Sequence, residues 1–235
     1  MENNPFLRTS LLIGEENILK LHDSKVWVFG CGGVGSYAAE ALVRAGVGHI
    51  CAVDMDCVDI TNINRQAIAL HSTVGRPKVE VLKERALDIN PDVDFCAIYK
   101  KFSAENEEEF DFSDADYIVD AIDMVTSKIR LIERAKASGV RIISSMGTGN
   151  KTDPSFLKVS DIYSTEGDPL ARVMRRELRK REIESLKVVY SSQKSIQQDF
   201  IEEGKSRPVT ASVPWVPPVA GFMLAGEVVR DICNL

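Results

Sequence analysis

Residues 25–46, KVWVFGCGGVGSYAAEALVRAG, run from a Val-rich strand through four closely spaced glycines into a helix. A strand that turns directly into a helix has to return in parallel beside its starting point, and such crossovers are right-handed. The same alternation continues downstream. HICAVD (49–54) reads as a second strand. KVEVLKERALDIN (78–90) is a helix stopped by Pro91, and DFCAIY (94–99) a third strand. YIVDAID (117–123) is a strand, SKIRLIERAKAS (127–138) a helix and VRIISS (140–145) a strand. These strands are Val/Ile-rich rather than alternating, as expected when both faces of a sheet are covered. The expected fold is a doubly wound, mainly parallel α/β sheet of Rossmann-like type.

Around this core, residues 8–21 have the spacing of an amphipathic N-terminal helix. The C-terminal part reads as an α+β extension, with a helix over 168–183, a strand over 186–192 and a buried helix within 213–229. The polar stretch 193–208 reads as a mobile loop. No internal repeat or low-complexity linker divides the chain, so residues 1–235 are expected to form one domain.

The bulk numbers exclude several classes. A net charge of −6 argues against nucleic-acid binding by bulk charge, yet leaves room for a local basic patch. The five cysteines include no CxxC pair, so no structural zinc is expected, and the thiols suit a reducing compartment. The N-terminus lacks the basic and apolar blocks of a secretory leader. VPWVPPVAGFMLAGEVV (213–229) carries three prolines and Glu227 and falls short of the about 20 apolar residues of a membrane span. A cytoplasmic protein with no membrane association is the expectation. The acidic run 105–116 reads as a solvated surface. ARVMRRELRKR (171–181) sets Arg172, Arg175, Arg176, Arg179, Lys180 and Arg181 against Glu177 alone, a candidate surface for nucleic-acid phosphates.

Sites in doubly wound sheets lie beyond the carboxyl ends of the strands. There, Gly30, Gly32 and Gly35 form G-x-G-x-x-G between strand and helix, a frame for a phosphate on a helix N-terminus. Asp54 ends the next strand, where it can accept hydrogen bonds from a ribose. A nicotinamide dinucleotide and ATP both satisfy these residues. Just beyond them stand Asn62, Asn64, Arg65, Arg76 and Lys78, with Asp123 at a later strand end as a candidate magnesium ligand. A triphosphate carries roughly twice the charge of a dinucleotide's pyrophosphate, and a reacting phosphorus needs still more positive charge around it. Together these residues favour ATP.

In this order, GxGGxG with its extra Gly33, DMD, TNINRQ, VGRPK and DAID resemble the ATP-dependent adenylating enzymes related to ubiquitin-activating enzyme, of ThiF/MoeB type. RTSLLIGEENILKL (8–21), MGTGNKTDPSFLKVSDI (146–162), DPLARVMRRELRKR (168–181), LKVVYSS (186–192) and VPPVAGFMLAGEVVRDI (217–232) extend the resemblance to the tRNA threonylcarbamoyladenosine dehydratases. The resemblance implies ATP-dependent cyclisation of a modified adenosine beside the tRNA anticodon, with the basic residues of 171–181 as candidate tRNA contacts. It implies that Gly33 approaches the phosphates, Asp54 binds the ribose, and Asn62, Arg65 and Lys78 contact the triphosphate. Asp123 would lie near magnesium and the α-phosphate. Arg8 would enter the ATP site of a second subunit in a homodimer. A monovalent cation and a sulfur-transfer protein partner are compatible with it. Met124 departs from the polar residue that relatives often carry after the aspartate.

Two other readings stay open on the residues alone. One is an adenylyltransferase acting on the C-terminus of a sulfur-carrier or ubiquitin-like protein, whose usual paired CxxC motifs this chain lacks. The other is a nicotinamide-dependent oxidoreductase, for which the cations of 54–78 would be superfluous. Cys31, Cys51, Cys57, Cys96 and Cys233 read as packing residues.

Overall fold

A computed structural model describes residues 4–201 and 209–235. Seven strands form a single sheet in the order β3-β2-β1-β4-β5-β7-β6. They are β1 (Lys25–Phe29), β2 (His49–Asp54), β3 (Asp94–Tyr99), β4 (Tyr117–Asp120), β5 (Arg141–Ser145), β6 (Leu157–Asp161) and β7 (Lys187–Ser191). All neighbours pair in parallel except β6 and β7. The strand order reverses between β1 and β4, and in such sheets the crevice at the reversal takes the ligand.

The helices are α1 (Leu7–Ile13), α2 (Glu15–His22), α3 (Gly35–Ala45), α4 (Lys78–Ile89), α5 (Val125–Ala137), α6 (Pro169–Arg179) and α7 (Val216–Cys233). Two apolar cores lie on the two sides of the sheet. One packs α3, α4 and α7 against Val26, Val28, Ile50 and Tyr117. The other gathers Trp27, Phe29, Phe102, Phe110 and Phe112 with α5 and α6. Strand β1 feeds both, with side chains alternating between the cores. None of the described helices is long and apolar enough to cross a membrane.

Several boundaries differ from the sequence expectation: the helix expected over 168–183 ends at Arg179, and the C-terminal helix starts at Val216 and runs on to Cys233. The helix expected over 8–21 is two helices, because Gly14 adopts φ 87°, ψ 150°, a conformation essentially restricted to glycine. The strand expected over 117–123 stops at Asp120, where the carboxylate turns back to accept the Ile122 N–H at 3.2 Å. Strand β6 was not anticipated; it follows a tight Asp153-capped turn and closes the sheet edge antiparallel to β7. The loop expected at 193–208 falls partly on 202–208, outside the described residues. Its first part, to residue 201, has no regular structure and is anchored by the Ile196 N–H on Asn150 O at 2.9 Å.

Candidate active site

The turn after β1 holds two glycines, Gly30 and Gly35, that close packing requires, and three, Gly30, Gly32 and Gly33, that line a cavity. At Gly30 φ is +88°, and a Cβ would stand 2.6 Å from the Ala121 carbonyl oxygen. At Gly35 a Cβ would stand 1.7 Å from Gly30 O, so only glycine lets α3 start this close to the strand. Gly32 and Gly33 line this cavity, of about 500 Å³, at the carboxyl ends of β1, β2 and β4. The backbone N–H groups of Gly32 and Gly33 have no partner among the described residues. With the first turn of α3 behind them, they present donors and the positive end of a helix dipole to the cavity.

Asp54 fixes this loop from the next strand. Its Oδ2 accepts the Cys31 N–H at 2.6 Å and its Oδ1 the Asp56 N–H at 2.8 Å. Burial pushes its pKa up, while Lys78 and the two N–H donors pull it back. Each carboxylate oxygen keeps a second lone pair for a ligand hydroxyl. Cys31, fully buried under the loop, has its thiol pushed well up by burial and by Asp54, so it is held as the unreactive thiol. Burial likewise raises Cys51 to about 12, with Cys96 beside it.

The next segment wraps over the loop. Asp59 caps a short turn at 60–62 by accepting the Thr61 N–H, and its own N–H donates to Asn62 Oδ1 at 3.2 Å. Arg65 is held by Thr61 O at 3.0 Å and Asn64 Oδ1 at 2.9 Å, both neutral acceptors. Lys78, 6 % exposed at the start of α4, donates to Asp56 Oδ2 at 2.9 Å. Asn62, Arg65 and Lys78 all line the cavity, together with Gly30, Gly32, Gly33, Asp54 and Asp123.

Other sequence candidates stand elsewhere. Gly35 lies behind the loop. Asn64 is turned to Ser212 O, and Arg76 pairs with Glu84. Arg8 is exposed on α1 and does not line the cavity of its own chain. Asp123 lines the cavity from the turn beyond β4 rather than from the strand end itself.

Further cavity residues are not among the named site candidates, although the stretch after Ser145 lies at a strand end and in a segment that carries the resemblance. Lys100, Lys101 and Phe102 follow β3, Ser145 ends β5, and Met146, Gly147, Thr148 and Gly149 follow it. Thr210, Ser212 and Pro217 approach from the C-terminal part. Beneath the Asp123 turn lies a buried charge pair. Lys128 Nζ donates to Asp120 Oδ2 at 2.8 Å and to Ser144 Oγ at 3.0 Å, with all three residues fully buried. Asp120 also takes the Ile122 N–H, so this pair fixes the backbone from which Asp123 projects. Ser127 adds a bond from its hydroxyl to Phe102 O at 2.7 Å, joining α5 to the opposite wall.

Helix α6 begins at the cavity, since Leu170 is part of the lining. Asp168 caps it by accepting the Ala171 N–H at 2.8 Å. Arg172, Arg176, Arg179, Lys180 and Arg181 are exposed. Arg175 is half-buried and turns inward, donating to Thr165 O at 2.9 Å and to the Thr165 hydroxyl. Arg176, Lys180 and Arg181 share Glu177, whose carboxyl is held down to about 2 by hydrogen bonds from Lys180 and Arg181. Arg179 lies over the Tyr163 ring at 5.2 Å. The acidic run at 105–116 is largely spoken for, with Glu107 on Arg130, Glu108 on Arg134, Glu109 on Lys100 and Asp114 on Lys25.

Known proteins fit this geometry. A Bacillus subtilis protein named tRNA threonylcarbamoyladenosine dehydratase is 42 % identical, over 97 % of this chain and 94 % of its own. The solved E. coli tRNA N6-threonylcarbamoyladenosine dehydratase, TcdA, in complex with AMP is 30 % identical and superposes with a TM-score of 0.89, over 98 % of this chain and 94 % of that one. In complex with ATP the TM-score of that enzyme is 0.86, over the same shares. An adenylyltransferase and sulfurtransferase of Candida glabrata is 34 % identical, but over 61 % of this chain and 33 % of its own length. A family model described as ThiF family matches residues 6–235. The chain belongs to the ThiF family.

Proposed function

We propose that this protein is an ATP-dependent tRNA threonylcarbamoyladenosine dehydratase. The observation that carries the reading is the likeness, along nearly the whole of both chains, to proteins bearing that name. The cavity supports it, because unpaired glycine-loop N–H groups, Arg65 and Lys78 converge there as anion partners.

In this reading ATP lies with its ribose on Asp54 and its phosphates over Gly32 and Gly33. Asn62, Arg65 and Lys78 bind the triphosphate, and Lys78 exchanges Asp56 for phosphate. Asp123 would hold a magnesium ion. Magnesium is commonly held by one or two carboxylates plus phosphate oxygens and water, so Asp123, which lines the cavity with Asp54 and Asp56, suits it. When bound, that ion would neutralise phosphate charge. A monovalent cation is a further expectation with no residue assigned to it.

The chemistry follows from the leaving group. A carboxylate oxygen cannot depart unaided. The threonyl carboxylate attacks the α-phosphorus of ATP, pyrophosphate leaves, and an acyl-adenylate forms. Arg65 and Lys78, with Arg8 of a second subunit, stabilise the charge that develops. A nucleophile in the same side chain then attacks the acyl carbon, loses its proton and expels AMP, closing a five-membered ring. Intramolecular attack supplies the proximity advantage, and no enzymic thiol takes part. The net change in the nucleoside is loss of one water.

The tRNA is proposed to lie along α6 on Arg172, Arg176, Arg179, Lys180 and Arg181. The protein acts as a one-domain, cytoplasmic homodimer, with a sulfur-transfer protein as a candidate partner. The decisive experiment is incubation with ATP and tRNA carrying threonylcarbamoyladenosine. Loss of one water from the nucleoside, read by mass, is the expected result. An unchanged nucleoside together with ATP-dependent adenylation of a carrier protein's C-terminus would establish the adenylyltransferase reading instead.

A further inference from the structure

Three strands carry a row of neighbours across one face of the sheet. Trp27 on β1 pairs in register with Cys51 on β2, and Cys51 pairs with Cys96 on β3. Residues in register on parallel strands point to the same face, and neighbouring strands lie about 4.8 Å apart. That spacing falls within the about 4.4–6.8 Å between Cα atoms that a disulfide spans. Burial first, and then the adjacent Cys96, push the Cys51 thiol up, so the two sulfurs are neighbours. Both cysteines are free.

Packing does not account for this pair. Cys31, Cys51 and Cys233 are buried, as free cysteines usually are, but Cys96 is exposed on a strand at the edge of the sheet. Cys57, also exposed, faces the Tyr99 hydroxyl at 3.4 Å. The row therefore sets an accessible thiol against a sheltered one, since Cys51 is 6 % exposed. The Lys25 ammonium, anchored on Asp114 at 2.7 Å, acts on Cys51 in the opposite sense to burial and favours its thiolate. Lys25, Cys51 and Cys96 are not among the residues that line the cavity.

We propose that Cys51 and Cys96 form a reversible oxidation site, a dithiol that a hydroperoxide converts to an intrachain disulfide. Cys96 meets the oxidant. Its thiolate sulfur attacks the outer peroxide oxygen and the O–O bond breaks. The alcohol, or water from hydrogen peroxide, leaves with the thiol's proton, and Cys96 is left as a sulfenic acid. The Cys51 sulfur then attacks the Cys96 sulfur. The S–S bond forms, the S–O bond breaks, and hydroxide departs as water with the Cys51 proton. The protein loses two protons and two electrons, and the peroxide is reduced to an alcohol and water. A resolving thiol already in place spares Cys96 a second, irreversible oxidation. The new bond joins two strands that supply cavity walls, because β2 ends in Asp54 and β3 leads into Lys100, Lys101 and Phe102.

The test treats the full reduced chain with hydrogen peroxide, unfolds it in an alkylating quench and maps the peptides by mass. The expected result is a cross-linked peptide joining Cys51 to Cys96, lighter by two hydrogens than its separate parts and restored by a dithiol reductant. Cys31 and Cys233 should remain fully alkylated. In Cys51→Ala, Cys96 should instead run on to sulfinic acid, with the irreversibly oxidised fraction raised several-fold over wild type. Thermal unfolding checks that this variant is folded, and the wild-type map decides alone if it is not. A wild-type chain whose Cys51 stays alkylated after Cys96 has reacted would overturn the proposal. So would Cys96 pairing with Cys57 or with a second chain, or sulfinic acid forming on wild-type Cys96 as readily as in the variant.

Discussion

At the residue scale the glycine loop separates two roles that the motif merges. Gly35→Ala drives a methyl into Gly30 O, and neither backbone can yield without moving α3 off the sheet. Gly32→Ala meets no such obstacle and its φ is not positive, so the apoprotein should keep or slightly raise its Tm. The expected outcome is a Gly35→Ala protein that fails to fold cooperatively and a Gly32→Ala protein that folds but binds ATP at least about tenfold more weakly. Circular dichroism melts and ATP titration read the two effects separately. Arg65→Ala and Lys78→Ala test the triphosphate assignment. Neither side chain anchors the fold: Arg65 bonds its own turn, and Lys78 bonds an exposed carboxylate. Each variant should unfold near wild type yet lose about 100-fold or more in kcat/KM for ATP-dependent dehydration. Wild-type turnover in both would remove these residues from the site. Gly30, Gly32, Gly33, Asp54, Asn62, Arg65, Lys78 and Asp123 could be brought together from sequence, because strand ends converge in a doubly wound sheet. The stretch after Ser145 could be placed at a strand end but given no role, and Lys100 to Phe102 and Thr210 could not be placed, because they share no spacing with the motif and meet it only through sheet order. The Asp120–Lys128 pair was hidden for another reason: a lysine in a helix's first turn reads as solvated until the strand beneath it is known.

At the element scale the basic helix α6 is less uniform than its sequence. Charge reversal at Arg172 and Arg176 should weaken tRNA binding. It should also lower the slope of log Kd against log salt by about one unit for each phosphate that is no longer neutralised. Arg175→Ala should instead lower the Tm with little change in that slope, because Arg175 holds Thr165. A filter-binding salt series on the three variants distinguishes them. The helices and parallel strands were legible because their periodicities are strong over several turns or strand residues. The break in the N-terminal helix turned on one backbone conformation at Gly14, which periodicity does not register. Strand β6, LKVSD, has too few apolar residues to announce itself and exists because β7 offers it an edge.

The C-terminal helix α7 is fastened at the opposite end of the sheet from the cavity. Asp231 accepts from Tyr117 Oη at 2.6 Å and from Lys187 Nζ at 2.7 Å, and Arg141 donates to its carbonyl at 2.7 Å. Burial raises the Asp231 carboxyl, but the bonds from Lys187 and Tyr117 outweigh it and leave the pKa lowered. A carboxylate with a lowered folded pKa stabilises the fold above its unfolded pKa and loses that contribution as the pH falls through the folded value. Asp231→Asn should therefore lower Tm at pH 7 by about 3–6 °C. The gap to wild type should narrow as the pH falls below the unfolded pKa of about 3.9. Melts across the pH range check the sign, and a gap that widened on acidification would refute the assignment.

At the scale of the whole molecule the open question is what completes the cavity. Arg8 is exposed on α1, and Leu7, Leu11 and Leu12 beside it are 40 %, 76 % and 88 % exposed. An apolar helix face beside an arginine implicated in a partner's site is what a self-complementary two-fold interface requires. If Arg8 acts across that interface, its loss and the loss of Lys78 damage different subunits of the same site. Arg8→Ala protein and Lys78→Ala protein should each be inactive alone. Mixed under conditions that exchange subunits, half of the dimers are heterodimers, and each carries one site with its own Lys78 and the partner's Arg8. Activity should return to roughly a quarter of wild type per site, the statistical value for random exchange between two-fold dimers. If Arg8 served its own chain instead, every site in the heterodimer would still lack one of the two cations. The mixture would then stay inactive, although sedimentation would show the same dimers. The complementation assay therefore reports the geometry of catalysis rather than mere association.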